Sequence, residues 1–122
     1  MFEVKENKTF DNHEITHGYT VIIDDGENDI IYSGYNKLNQ AILGVIIYEG
    51  INLYYFHITT DEKELTKFID NEISLLDIIS FELNQIFVVV KDFNGNTLDY
   101  NSISFHDIPD EYKPRAYSYL NL

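Results

Sequence analysis

The chain has 122 residues, 44% of them hydrophobic and 15% aromatic, with two prolines and no cysteine. That is enough apolar material for one buried core, and it excludes a disulfide framework, a thiolate metal site and a cysteine nucleophile. Asp and Glu number 21 against 8 Lys and Arg, a formal net charge of −13, which repels phosphate backbones and argues against direct nucleic-acid binding. The same charge attracts a basic protein surface, although it also serves plain solubility.

The first residues, MFEVKENKTF, carry no apolar stretch behind a basic start, and the longest apolar run, Val45-Ile46-Ile47-Tyr48, falls far short of the roughly 20 residues that span a bilayer. These features, with the missing cysteines, predict a cytoplasmic protein that has neither an export signal nor a membrane anchor. Next comes His13-Glu14-Ile15-Thr16-His17. It spells HExxH, the pattern in which two histidines one helical turn apart hold zinc and the glutamate activates its water. That chemistry requires a helix, yet Ile15 and Thr16 are β-branched, Gly18 follows at once, and a third ligand such as Glu27 or Asp29 falls in a turn. The plainer expectation is two exposed histidines ahead of the first strand. His13 and His17 are kept only as poor candidate metal ligands of a zinc-dependent hydrolase, and no cofactor is implied.

GYTVIID over Gly18 to Asp24 has strand composition, Asp24-Asp25-Gly26-Glu27-Asn28-Asp29 breaks it, and Ile30-Ile31-Tyr32 resumes it, which predicts a hairpin. The acidic turn offers oxygen ligands, but a calcium loop of the EF-hand type needs Gly at its sixth position and Gly26 comes third. Two more strand-like runs, Ala41 to Glu49 and Ile51 to Thr59, meet at Glu49-Gly50, where glycine suits a tight turn. His57, beside Tyr54-Tyr55-Phe56, reads either as a structural histidine or as a general base.

In TDEKELTKFIDNE, Thr60 can cap a helix whose first turn carries Asp61 and Glu62 and whose apolar positions are Leu65, Phe68 and Ile69. Ser74 and Asp77 then have capping-box spacing ahead of a short helix over Leu75 to Ser80. Ile86-Phe87-Val88-Val89-Val90 is a strand, and Asn94-Gly95 predicts a hairpin returning through Thr97 to Tyr100. The remaining tail contains His106-Asp107, Pro109 and Pro114, and a tyrosine-rich end, and no regular element is assigned to it. The expected architecture is one α+β domain over residues 1–122. It has an antiparallel meander of five to six strands, a main helix over about 61–71 and a short second helix over about 75–80, both packed on one face.

From Asp25 to Lys91 the order of features resembles a group of small uncharacterised bacterial domains. The resemblance is carried by Asp25-Gly26, the strands Ile42 to Ile47 and Leu53 to Ile58, Thr60 to Leu65, the Glu72-Ile73-Ser74-Leu75-Leu76-Asp77 turn, and the strand Ile86 to Val90. This chain departs from that group's pattern where the turn's Gly is Asn71, its basic residue is Leu76, and the Pro after Asp25-Gly26 is missing. The resemblance implies a fold and carries no activity.

No GxSxG elbow and no glycine-rich phosphate loop accompanies the histidines, so a non-catalytic interaction module is expected. Inhibitors of bacterial and phage conflict systems, such as immunity proteins and antitoxins, are of this kind. The expected partner has a basic surface and includes nucleic-acid-binding proteins, whose phosphate track the carboxylates would imitate. The expected contact residues are Asp107, Asp110, Glu111, Tyr112, Tyr117 and Tyr119, because tyrosine gives rigid contact area with a hydroxyl. A small-ligand sensor with a pocket lined by Tyr54, Phe56 and Phe68 is the alternative.

Overall fold

The computed structural model describes residues 12–121. Six strands, β1 (His17–Asp24), β2 (Asp29–Tyr35), β3 (Ala41–Glu49), β4 (Leu53–Thr60), β5 (Ile86–Lys91) and β6 (Thr97–Ile103), form one antiparallel sheet in sequence order. The meander and both helices are as expected. Helix α1 (Glu62–Ile69) and helix α2 (Leu75–Ser80) lie between β4 and β5 in the chain. Among the described residues no helix is long and apolar enough to cross a membrane.

Period-two alternation divides the sheet into two faces. One carries Leu43, Val45, Phe56, Ile58, Ile86 and Val88 and packs against Leu65 and Phe68 of α1, Ile78 and Ile79 of α2, and Ile108 and Leu120 of the tail. This is the main core. At α1 the cap falls one residue later than expected: Thr60 ends β4, and the Asp61 carboxylate accepts the Glu64 N–H at 2.7 Å. Both residue types can cap; the strand's last pairing, Ala41 with Thr60, holds the threonine in the sheet. The box at α2 forms as read, with Ser74 Oγ accepting from Asp77 N and Asp77 accepting from Ser74 N. Between the helices Asn71 takes φ +62°, in the left-handed region that Gly occupies most readily and Asn next.

The Asn94-Gly95 hairpin forms with a longer loop than a two-residue turn, because β5 ends at Lys91 and β6 begins at Thr97. Asp92 closes it: its carboxylate accepts the N–H groups of Asn94 and Asn96, and Gly95 supplies φ +86°. The tail contains two single 3-10 turns, Phe105–Asp107 and Asp110–Tyr112. It then crosses the start of α2, where Ser118 accepts the orphan N–H groups of Leu75 and Leu76.

Candidate functional site

On the second face, Tyr32, Leu53 and Tyr55 form a smaller cluster supported by Ile15 and Ile46. Tyr32 stands on β2, yet its hydroxyl donates to Nε2 of the buried His57 on β4. It reaches across β3 because Gly44 has no side chain: a Cβ there would lie 2.3 Å from the Tyr32 ring. His57 Nδ1 faces the His13 carbonyl at 2.6 Å, and a carbonyl only accepts, so Nδ1 carries the proton and Nε2 the lone pair. Burial pushes the His57 pKa down to about 3, helped by the nearby Lys91 charge and opposed by the bond to His13. A neutral imidazole held by two hydrogen bonds is a structural histidine.

The segment around HEITH lies extended over this face. Asn12 and His13 sit in a turn, Glu14 to Thr16 have no regular structure, and His17 opens β1. His13 is only 5% exposed, against the expectation of an exposed residue, because its ring stacks on Tyr100 of β6 with centroids 3.5 Å apart. Ile15 packs where a Cβ on Gly34 would sit, and the exposed His17 stacks on Tyr35 of β2. The two rings therefore rest on β6 and β2, with three strands between them, whereas zinc needs both ligands about 2 Å away. The helical geometry of a zinc peptidase is not formed. Among the described residues no group of three or more His, Cys, Asp or Glu comes together to hold a metal.

In an antiparallel meander alternate turns share an end, so the β1–β2, β3–β4 and β5–β6 turns lie together. They bring Asp24, Asp25, Glu27, Asp29, Glu49 and Asp92 to one end of the sheet. The Asp24 carboxylate accepts the Gly26 N–H, and the Asp25 carboxylate accepts those of Asn28 and Glu27, which hold the Asp25 pKa below its ordinary value. Below the turns a cleft of about 370 Å³ opens on the second face, lined by Tyr19, Tyr32, Tyr55, Asp29, Lys91 and Phe93 among others. Tyr19 stacks on Tyr32 and donates to the Asp29 carboxylate, while Tyr55 donates to the Asp29 carbonyl at 3.2 Å. Lys91 Nζ lies over the Tyr32 ring at 4.9 Å and the Tyr55 ring at 5.3 Å. Burial raises the pKa of Tyr19, Tyr32 and Tyr55, the last to about 12 with further help from Asp29, Glu49 and Asp25. All three phenols stay neutral at physiological pH. Burial lowers the Lys91 pKa, and the Asp29 charge opposes this.

The tail residues take separate places. Asp107 accepts from Ser104 and lines, with His106, a wider groove of about 950 Å³ between Phe81–Ile86 and Ser102–Pro109. No bond joins His106 to Asp107 among the hydrogen bonds of the described residues. Asp110 pairs with Lys113 at 3.4 Å, Glu111 is exposed, and Tyr112 is half-buried against the main core. Tyr117 is 86% exposed and Tyr119 39%. Phe56 and Phe68 are packed core residues and Tyr54 borders them, so none of the three lines either cleft. The suggested space between sheet and helix is filled by the apolar side chains of both.

Of the cleft residues, Tyr19, Tyr32 and Lys91 are not singled out by the sequence as site candidates, and Asp29 is considered there only as a metal ligand. The available signal was Lys91, a cation ending an apolar strand in the alternation of Phe87 and Val89. No family model matches the chain, and comparison with curated proteins and with solved structures returns no significant match.

Proposed function

We propose that this chain is a non-catalytic interaction module, acting in the cytoplasm as an inhibitor of the immunity-protein or antitoxin kind, which occupies a basic site on a partner protein. The observation that carries this reading is the convergence of Asp24, Asp25, Glu27, Asp29, Glu49 and Asp92 on one end of the sheet. A net charge of −13 distributed evenly would only raise solubility; carboxylates gathered on adjacent turns, about 10 Å apart by strand spacing, make a directional field for a cationic surface. A nucleic-acid-binding protein is the partner class whose own ligand presents such a line of negative charge. The structural role of His57 and the separation of His13 from His17 favour binding over catalysis.

The test is capture by the tagged chain from a lysate of its own host, with and without nuclease, at low and at moderate salt. One stoichiometric basic protein that survives nuclease and is lost as salt rises is the expected result. No captured protein, or one held equally at both salt concentrations, would refute the proposal.

A further inference from the structure

We propose that the tyrosine-lined cleft at the hairpin end recognises a lysine side chain of the partner, and that Lys91 is its resident internal occupant. The inference rests on the acidic-module reading and makes it specific. The cleft has the composition of a cation site: the faces of Tyr32 and Tyr55, with Tyr19 stacked behind Tyr32, and the carboxylates of Glu27, Asp29 and Asp92 at its rim. An ammonium group within about 6 Å of a tyrosine centroid is attracted by the ring's negative face. Lys91 Nζ meets that criterion on two rings at once, at 4.9 and 5.3 Å.

Among the described residues no carboxylate lies within ion-pairing distance of Lys91, so the ring faces and the general negative field hold its charge. An incoming lysine would therefore replace one ammonium by another in the same environment, while Lys91 swings out and regains its hydration. At about 370 Å³ the cleft is within the range of small-ligand sites, about 300–1,000 Å³. Its mouth opens among the acidic turns, where a basic partner would be steered.

The experiment titrates the full chain with Nα-acetyl-lysine methylamide at constant ionic strength and follows the tyrosine ring resonances by NMR. The uncharged norleucine analogue is the control. Wild-type protein should bind the lysine probe weakly and the control not at all. Lys91→Gln, which removes the resident cation, should tighten probe binding about tenfold; Tyr19→Leu placed on Lys91→Gln should reverse most of that gain. Lys91→Gln binding no tighter than wild type, or norleucine binding as well as lysine, would overturn the proposal. If Lys91→Gln does not melt cooperatively, Tyr19→Leu alone decides, since Tyr19 is half-exposed on an edge strand. Several-fold weaker probe binding supports the proposal and unchanged binding overturns it. The probe needs no partner, so failure here leaves the acidic-module reading standing, and failure of lysate capture leaves the cleft result standing.

Discussion

Acid should weaken this fold through one buried histidine before the bulk of the carboxylates protonate. His57 is neutral in the folded chain with its pKa near 3, against about 6.5 for an unperturbed histidine in the unfolded chain. Between those values the unfolded state binds one more proton than the folded state. Stability from this residue is therefore complete above pH 6.5 and falls as pH drops, at about 1.4 kcal/mol per pH unit. From pH 6.5 to 4.5 the loss is on the order of 3 kcal/mol, a large share of a typical domain's roughly 5–15 kcal/mol. Lys91 and His13, the charged or titratable neighbours that act on His57 electrostatically, both oppose its protonation. Asp25 and Asp92 have depressed pKa values, so their contribution disappears only as pH falls through lower values. The assay is urea unfolding at half-unit steps from pH 7.5 to 4.5, for wild type and for His57→Gln, whose amide can still meet Tyr32 and the His13 carbonyl. Wild type should show the steeper slope by about one proton. Equal slopes would refute the assignment of His57 as the acid-sensitive group.

Gly44→Ala should destabilise by about 1–3 kcal/mol in urea, because the new Cβ displaces the Tyr32 ring and breaks its bond to His57; Gly26→Ala, where nothing lies within 4 Å, should show only the left-handed backbone penalty. Ser74→Ala should lose about 1 kcal/mol by removing the acceptor for Asp77 N, with Asp77→Asn retaining most of the stability, both read by thermal melting. Phe68→Ala, at a site 1% exposed between sheet and helices, should lose about 3–5 kcal/mol and leave the chain largely unfolded in a far-ultraviolet circular dichroism melt.

The fold was legible because its information is local. The β-branched and aromatic runs AILGVIIYE and LYYFHITT, the turn residues of Asp24 to Asp29, and the Ser74–Asp77 box each decide structure within a few residues. The cap at Asp61 was misplaced by one position because Thr60 has equivalent capping chemistry, and only the pairing of β3 with β4 distinguishes them. The tail was opaque because it is held by contacts to distant parts of the chain: its Ile108 and Leu120 enter the main core, and its Ser118 meets the start of α2. The cleft was hidden for the same reason. Tyr19, Tyr32, Tyr55 and Lys91 come from four strands and meet only once register is set, with Leu53 opposite Lys91 and Tyr55 opposite Val89. The exposure expected of His13 failed because Tyr100 lies 87 positions along the chain from it; proximity of that range leaves no trace in local composition.

Reversing charge at the hairpin end and at the tail separates the two acidic surfaces. Asp25→Lys with Glu27→Lys should abolish capture of the basic partner at low salt, whereas Asp110→Lys with Glu111→Lys should leave it within about threefold, as rim charges remote from a contact do. Loss of capture in the tail variant with full capture by the hairpin variant would contradict the assignment of the hairpin end as the binding surface.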